Sequence, residues 1–484
     1  MEWCAKKPRS LPQNRYSMRY GLILGLLFLL ITNHIRAQTL LGLTTSKYGG
    51  THRAYLNPAL TADQPEAVFV NLAVANLHVN NNAVRYQAPF SLLRLLTNSV
   101  PKAYQNGDGS VDFQDDYTTD IQDGRAKDIT VQGEVRGPAL GIRLGRHGTL
   151  SVSTRLRAIG QITGASEPLV SALRASLANS TLFSVPSRAN QFSVNSNTFA
   201  EAALTYARTI TEADGLRISM GITGKFLKGY TAGHLLNNGL DYQLLSDPNR
   251  GGVPFLLVTQ LDADLAFTNY LQTRSLSAKT LLAADAPGSG FGADVGITVL
   301  KQDDESGPAL LFGLSLTDLG GMTYTGESYA VSQRNVRFDN RDFDAVNGVE
   351  AVAEVLRQKF SLSPASSRGS FRAGLPTALN LSADYQATPM LGVSLIWRQD
   401  MHGVRDAAVH QTSLVALTPR LESRLLGLAV PLMFINRSFT AGLAVRFGPV
   451  RLGSDNLLGL LGTGNNGIRP RGMDVYAGLC FGIK

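Results

Sequence analysis

The sequence predicts an all-β fold, an antiparallel transmembrane outer-membrane β-barrel of about 14 strands. Three observations favour this fold class. The N-terminus carries an apolar run typical of an export signal, alternating segments recur through the rest of the chain, and short connections alternate with long ones. No later segment approaches the roughly 20 continuous apolar residues that a membrane helix needs, which excludes a helical membrane protein.

The N-terminus predicts a secretory signal peptide at residues 1–37. Arg19 precedes an apolar run from Tyr20 to Ile31, and cleavage is expected between Ala37 and Gln38. Because the residues before Met18 add nothing to an export signal, we expect translation to start at Met18; the alternative is a long n-region.

Most of the net positive charge of the chain lies in this leader. Six of the 45 Lys and Arg residues and one of the 37 acidic residues lie in residues 1–37, so the remainder has a net charge of +3. No Lys/Arg run with interleaved aromatic residues follows, which gives nucleic-acid binding no support. Cys480 is the only cysteine after the leader, so an intramolecular disulfide is excluded.

The glycine-rich stretch at residues 287–300 shows the strand pattern clearly. Phe291 and Val295 fall on one side of it, and Gly290, Gly292 and Gly296 fall on the other. This period of two is typical of a strand, whereas a nucleotide-binding loop would place its third glycine at Val295 and continue as a helix. The glycines are therefore predicted to face a barrel lumen, where they permit close backbone approach.

About fourteen such segments follow the leader, many near the ~10 residues of a tilted strand that crosses a bilayer. They start near residues 67, 129, 149, 198, 215, 289, 309, 377, 390, 408, 422, 438, 449 and 471. In the segment near 438, Phe439, Leu443 and Val445 should contact lipid, and Ala444 should face the lumen.

Connection lengths predict which rim of the barrel each turn occupies. The connections at 145–148, 211–215, 301–308 and 387–390 are short, and those at about 164–197, 231–288 and 319–376 are long. Such alternation is typical of periplasmic turns on one rim and extracellular loops on the other. Pro138 is either an inward kink in one strand or a break between two short strands.

Two helices are expected outside the strands. Residues 346–360 place Val349, Val352, Leu356 and Phe360 at helical spacing, and residues 91–98 form a second candidate. We expect each to act as a cap or plug helix; the alternative is a loop packed on itself with no part in gating.

Motifs of enzymes and of metal or nucleotide sites are missing from the sequence. It has no H-E-x-x-H, no G-x-S-x-G and no P-loop, and the six histidines after the leader are scattered. Asp262 and Asp264 lack the spacing of an EF-type calcium site. We therefore predict no catalytic, cofactor or metal site and no enzyme activity.

Several stretches together resemble a known group of proteins. Residues 55–59, Tyr-Leu-Asn-Pro-Ala, resemble the Asn-Pro-Ala element near the start of FadL-like outer-membrane proteins. Residues 290–296, 314–320, 374–377 and 448–456 together are similar to an uncharacterised family of Bacteroidota outer-membrane barrels. The residues that carry the resemblance are Asn57, Pro58, Ala59, Gly290, Gly292, Asp294, Gly296, Asp318, Gly320, Pro376, Asp455 and Asn456.

This resemblance implies an outer-membrane barrel at residues 67–484, distantly FadL-like, behind a plug-like segment at residues 38–66. The function it implies is uptake or passage of small hydrophobic molecules. The alternative is a barrel that transports nothing and docks secretion or cell-surface assemblies. The expected partners are outer-membrane lipid, the barrel-assembly machinery reading Phe481 near the chain end, and a hydrophobic small molecule or surface proteins.

Overall fold

A computed structural model describes residues 40–145, 147–175, 177–268, 270, 277–302, 307–343 and 349–483. The predicted signal peptide, its cleavage point at Ala37 and Gln38, and the expected start at Met18 lie outside the described residues.

The described chain is built mainly from strands. These are β1 (Val68–Asn81), β2 (Val84–Tyr86), β3 (Thr118–Asp120), β4 (Lys127–Leu144), β5 (Gly148–Ala165), β6 (Ser187–Ala213), β7 (Leu216–Asp247), β8 (Val253–Phe267), β9 (Gly288–Gln302), β10 (Ala309–Thr325), β11 (Glu327–Gln333), β12 (Val336–Asp339), β13 (Ser370–Gly374), β14 (Ala378–Gln386), β15 (Leu391–Asp400), β16 (Leu414–Glu422), β17 (Leu426–Ala429), β18 (Leu432–Ile435), β19 (Ser438–Ala441), β20 (Leu443–Phe447), β21 (Val450–Ser454) and β22 (Gly472–Ile483).

Short helices lie before β1 and between the strands. They are α1 (Leu41–Thr44), α2 (Leu92–Leu96), α3 (Glu167–Arg174), α4 (Ala278–Leu282), α5 (Val349–Lys359) and α6 (Leu457–Leu461). Of the nine 3₁₀ turns in the described residues, two precede β1 and span Gly50–Tyr55 and Pro58–Asp63. None of the helices in the described ranges is both long and apolar enough to cross a membrane.

Fourteen antiparallel strands close into a barrel, as the sequence predicted. Three of the fourteen wall strands consist of two consecutive segments each, namely β13/β14, β17/β18 and β19/β20. The order around the wall is β1, β4, β5, β6, β7, β9, β10, β13/β14, β15, β16, β17/β18, β19/β20, β21 and β22. It closes where β1 pairs with β22, with Val68 opposite Ile483 and Asn80 opposite Gly472. Both chain ends of the barrel therefore lie at the same rim.

The short turns lie on that rim, which we call the turn rim. It carries the connections at 214–215, 387–390, 423–425 and 448–449. The opposite end, the loop rim, carries the long connections and one two-residue turn at 436–437. Apart from this turn, turns and loops segregate in the way that the connection lengths predicted.

The two faces of the wall follow the alternation of the sequence. Phe439, Leu443 and Val445 point outward and Ala444 is buried inside, with exposed fractions of 62%, 38%, 44% and 6%. Exposed apolar side chains circle the barrel, among them Val152, Leu204, Ile222, Val295, Leu314, Leu395, Leu417, Val445, Leu452 and Leu479. The face assignment made from the sequence is confirmed at these positions.

Several wall strands are longer than predicted. β6 begins at Ser187, not near residue 198, and β7 continues to Asp247 inside a stretch expected to be a loop. β8 pairs with the far half of β7 on one edge and with β11 and β12 on the other. The prediction of loops at 164–197, 231–288 and 319–376 is therefore wrong for the residues that these strands occupy. The strands extend there because they pair with one another beyond the barrel wall.

These strands form a sheet beyond the loop rim, which we call the extension. Its apolar core includes Leu240, Leu256, Leu265 and Tyr329, and α3 and the end of α5 pack on it. At its far end Arg337 donates to Asp247 at 2.8 Å, and this hydrogen bond holds the pKa of the Asp247 carboxyl below its usual value.

The two predicted helices exist but neither lies in the lumen. α5 carries Leu356 to the core of the extension, next to Phe360. α2 packs with α6 against Leu77 and Met473, which alternation places on the outer face of the wall. Pro138 lies in an unbroken β4, at a register shift between Arg136 and Ala139, so the strand neither ends nor divides there.

Candidate functional site in the barrel lumen

Residues 40–66 lie inside the barrel, and we call them the lumen segment. The segment contains α1 and both 3₁₀ turns, and most of its side chains are buried. Its contacts reach β5, β6, β7, β9 and β10 on one side and β20 on the other. The lumen segment therefore fills the turn-rim half of the interior.

Asn57 fixes the lumen segment to the wall. Its Oδ1 accepts a hydrogen bond from the backbone N–H of Ala59 at 2.9 Å and caps the 3₁₀ turn that Pro58 opens. Its Nδ2 donates to the backbone carbonyls of Ile297 and Leu314 at 3.1 and 3.2 Å. The Asn-Pro-Ala sequence thus shapes a turn and ties it to β9 and β10.

Glycine in the wall is what lets Asn57 approach so closely. A Cβ built on Gly296 would lie 2.0 Å from Asn57 Oδ1, and one on Gly221 would lie 2.4 Å from the backbone N of Ala59. Only a wall without side chains at these points admits the segment. This answers why glycine recurs on the inward face of β9.

A second anchor holds the start of the segment. The backbone N–H of Leu41 donates to Asp455 Oδ2 at 2.9 Å, and the backbone N–H of Asp455 donates to Asp474 Oδ1 at 2.9 Å. The neighbouring Asn456 caps α6 by accepting from the backbone N–H of Gly459 at 2.9 Å. Asp455 and Asn456 therefore join the lumen segment and a loop-rim helix to the wall.

On the loop-rim side of the lumen segment lies a group of buried charged side chains that we call the ion cluster. Its members are Glu134, Arg136, Arg155, Arg157, Glu201, Lys225, Asp294 and Asp318. They come from β4, β5, β6, β7, β9 and β10 and are all almost fully buried.

Asp318 stands at the centre of the ion cluster. Its carboxylate lies 2.5 Å from Lys225 Nζ and 2.9 Å from Arg157 Nη1, and Arg155 reaches it at 3.3 Å. A bulge in β10 places it there, since the register shifts between Leu316 and Leu319 and Asp318 has a φ of 56°. Its backbone N–H donates to Asp294 Oδ1 at 2.7 Å.

Tyr55 connects the lumen segment to the ion cluster. The Arg136 and Arg155 guanidinium carbons lie 4.3 and 4.5 Å from its ring centroid. Such cation–π contacts are strongest where water is excluded. The aromatic ring of the segment is therefore held by the charges of the wall.

One sector of the loop-rim half of the lumen is apolar, whereas the sector lined by β1, β4 and β22 carries buried polar side chains such as Asn76, His78, Gln132 and Asp474. Inward side chains of β5, β6, β7 and β10 meet there with residues after β13, and we call this group the apolar lumen layer: Ile159, Phe199, Leu227, Met322, Tyr324, Leu375 and Val409. Tyr324 lies over Gly229 and Gly288, whose added Cβ atoms would come within 2.3 Å of its side chain. The tyrosine hydroxyl donates to Asn197 Oδ1 at 2.6 Å.

The connection between β15 and β16 closes this layer from the loop rim. Gln161 on the inner wall donates to the backbone carbonyl of His410 at 2.7 Å and accepts from its backbone N–H at 2.5 Å. Val409 is thereby held among the apolar side chains.

At the turn rim a cavity of about 390 Å³ separates the lumen segment from the wall. One side is apolar, with Leu56, Leu60, Leu300, Leu311 and Ile396. The other carries charged side chains.

A model of the Family of unknown function (DUF5723) matches residues 58–455. The chain belongs to this family. The resemblance to an uncharacterised barrel family is confirmed to that extent, and an origin in Bacteroidota stays a prediction. No curated protein matches the chain.

Solved structures with some likeness are barrels of low identity. The chain is similar to the TodX deltaS2S3 mutant monoaromatic hydrocarbon channel at 8% identity and a TM-score of 0.37, covering 90% of this chain and 94% of that one. It is similar to the Ralstonia pickettii toluene transporter TbuX at 11% and 0.37, covering 90% and 93%. For a Pseudomonas aeruginosa FadL homologue the values are 11% and 0.32, covering 93% and 100%.

The residues chosen from the sequence fall at three places in this DUF5723 chain. Asn57, Pro58, Ala59 and Gly296 meet at the wall, Asp455 holds the segment start, and the adjacent Asn456 caps α6. Asp294 and Asp318 belong to the ion cluster, and the other four lie close to the bulge of β10 that contains Asp318: Gly290, Gly292, Gly320 and Pro376.

Sequence reasoning missed the basic half of the ion cluster. Arg155, Arg157 and Lys225 come from different strands and meet Asp318 only when the barrel closes. The signal that could have found them is a charged side chain at an inward position of a strand whose other inward residues are apolar or small. Among the described residues no group of three or more His, Cys, Asp or Glu side chains could hold a metal ion.

Replacing Gly296 with Ala should lower the free energy of unfolding by about 1–3 kcal/mol, because the new methyl group overlaps Asn57. Gly224→Ala is the matched control, since Gly224 lies on β7 and a Cβ there meets nothing within 4 Å. Urea unfolding of the lipid-reconstituted proteins measures both. Equal effects would contradict the packing assigned to Gly296.

Asp318→Asn should destabilise the barrel by about 3–5 kcal/mol, because it leaves buried Lys225, Arg155 and Arg157 short of one negative charge. Glu212→Gln is the control, since Glu212 pairs with Arg217 at 2.7 Å in a largely exposed contact that contributes about 0–1 kcal/mol. The same unfolding measurement applies, and a loss at Asp318 no larger than the control would argue against a cluster centred there.

Proposed function

We propose that the protein is an outer-membrane barrel that binds small hydrophobic molecules in its lumen and passes them across the membrane. The apolar lumen layer is the observation that carries this proposal. A water-filled pore has a polar interior, whereas this layer brings Phe199, Leu227, Met322 and Leu375 together inside the wall. Such a surface favours a hydrophobic solute over ions.

The location in the outer membrane is part of the proposal. The outward apolar side chains supply a surface that only lipid or another apolar phase would cover. The segregated rims support it as well. Outer-membrane lipid and the barrel-assembly machinery are then the partners of the wall.

We propose further that the lumen segment acts as the plug. It occupies the turn-rim half of the interior, and separate polar contacts hold it to the wall, among them the two hydrogen bonds of Asn57, that of Leu41 and the ion pair of Asp63 with Arg217. A solute that leaves the apolar lumen layer towards the turn rim has to displace the plug. Passage therefore requires the segment to move while the wall stays closed.

The alternative function is a docking barrel for secretion or cell-surface assemblies. The extension favours it, because β7 is 32 residues long, well beyond the ~10 residues needed to cross a bilayer. A folded sheet with its own apolar core beyond the loop rim gives a rigid surface for protein partners.

Ligand content tests the main proposal. Native mass spectrometry of the full-length barrel, followed by lipid extraction, should find a hydrophobic small molecule. A variant that lacks residues 40–60 behind an intact leader should lose it. An empty full-length barrel that instead carries stoichiometric surface proteins would replace transport with docking.

Arginine scanning tests the membrane location. Leu395→Arg on β15 should cost about 2–4 kcal/mol in a lipid bilayer, because Leu395 lies in the middle of the outward belt. Leu425→Arg should cost about 0–1 kcal/mol, because Leu425 is exposed in a turn-rim connection. The comparison uses unfolding in lipid vesicles, and similar costs at both sites would argue that lipid does not cover the belt.

A further inference from the structure

The connection between β15 and β16 is longer than its two ends require. A two-residue turn at 436–437 joins the neighbouring strands β18 and β19 at the same rim, whereas residues 401–413 join β15 to its direct neighbour β16. We call residues 401–413 the strap. They contain neither helix nor strand, apart from a single bridge between Ala408 and Gly374. The extra length is available to reach across the lumen.

The strap spans the mouth of the barrel. It contacts β5 and β6, and along the shorter way round the wall β7, β9, β10 and β13/β14 lie between β6 and β15. Gln161 of β5 donates to the backbone carbonyl of His410 at 2.7 Å and accepts from its backbone N–H at 2.5 Å. Asn195 of β6 donates to the backbone carbonyl of Asp406 at 3.5 Å. The strap therefore crosses the lumen instead of following the rim.

Other hydrogen bonds hold the strap on its own side of the barrel. His402 Nε2 donates to the backbone carbonyl of Leu375 at 2.7 Å. At the root of the strap, His410 Nδ1 lies 2.6 Å from Asp400 Oδ2. These bonds involve side chains and the backbone outside the paired strands. Breaking them leaves the strand pairing of the wall intact.

Inward residues along β5 give the order of the layers from one rim to the other. Thr149 donates to the Thr61 hydroxyl of the lumen segment at 3.2 Å. Arg155 follows in the ion cluster, Ile159 in the apolar lumen layer, and Gln161 at the strap. The apolar lumen layer therefore lies between two chain segments that are not part of the wall, the lumen segment towards the turn rim and the strap towards the loop rim.

The middle of the strap covers the apolar lumen layer. Val409 is 2% exposed and packs within that layer, and Ala408 and His410 on either side of it are buried too. The outer part of the strap faces solvent, with Val404 41% exposed. A loop with few buried apolar side chains opens at a lower free-energy cost than the core strands around it. Opening of the strap is therefore compatible with an intact barrel.

We propose that the strap is the loop-rim gate of the lumen and that Gln161 is its latch. The strap separates the apolar lumen layer from the solution at the loop rim. Release of both Gln161 hydrogen bonds frees Val409 from the layer and opens a way in for a hydrophobic solute. Gln161 acts by positioning the strap. The inference rests on the proposed function, since it supplies the entry step of the passage, whereas the lumen segment controls the exit.

Thiol labelling of the apolar lumen layer tests the gate. Met322→Cys is the reporter, in a Cys480→Ser background, and the chain without its leader is reconstituted in phosphatidylcholine nanodiscs. Adding Gln161→Ala should raise the rate of reaction with N-ethylmaleimide about ten-fold, because each lost hydrogen bond favours the open strap. Gln191→Ala is the matched control and should leave the rate unchanged, since Gln191 is exposed on β6 and donates to the backbone carbonyl of Asn238. Mass spectrometry follows the reaction.

The native cysteine separates gate opening from a general loosening of the barrel. Cys480 is fully buried at an inward position of β22, opposite Asn71 and close to the turn rim. It reacts when the lumen segment moves or the barrel unfolds. With Met322 intact, Gln161→Ala should leave the labelling rate of Cys480 unchanged. Faster labelling of Cys480 and of Met322→Cys by the same factor would mean a loosened barrel and overturn the inference.

A second reporter guards against a poorly folded first one. Val409→Cys places a small apolar side chain on the strap itself, and its labelling should also be faster in Gln161→Ala. If neither reporter reacts faster, Gln161 is no latch and the inference falls, while hydrophobe binding is still decided by the ligand content of the full-length barrel. Faster labelling of both reporters in a barrel that carries no hydrophobe would leave the gate standing and remove the proposed solute.

Discussion

A closed barrel of fourteen strands encloses an interior that side chains, chain segments or water must fill. In this protein, what fills the interior at each point determines which residue type occupies the inward positions of the wall there. Gly296 is bare because Asn57 lies against it, and Gly229 and Gly288 are bare because the ring of Tyr324 crosses them. Where no chain segment approaches, charged side chains such as Lys225 fill the space. The glycine content of the wall thus follows from what the wall encloses.

The ion cluster shows how charge is tolerated in that interior. Asp318 receives three basic partners, and Glu201 binds Arg155 through both carboxylate oxygens at 2.6 and 2.9 Å. Buried charges are costly unless they are paired and hydrogen-bonded. Arg53 of the lumen segment differs from this neighbourhood, because it is also buried but its Nε and Nη1 atoms have no hydrogen-bond partner among the described residues.

The sequence predicted the barrel well because alternation with a period of two depends on each strand alone. Asn57, Pro58 and Ala59 were singled out by the resemblance to FadL-like proteins, and the capped turn that they form was not predicted. The prediction failed for β8, β11 and β12 because strand length was matched to a bilayer, and the extension continues beyond one. Arg155 and Lys225 could not be assigned together, because their contact with Asp318 exists only after distant strands pair across the wall.

The order of layers along the barrel axis constrains any movement of the lumen segment. Tyr55 is packed between Arg136 and Arg155, and Arg155 also binds Asp318 in the bulge of β10. Displacing the segment therefore removes an aromatic partner from two buried guanidinium groups. The extension has a separate apolar core, so it does not share this coupling. The lumen segment and the ion cluster are consequently linked through Tyr55, and a displacement of the segment would break this contact.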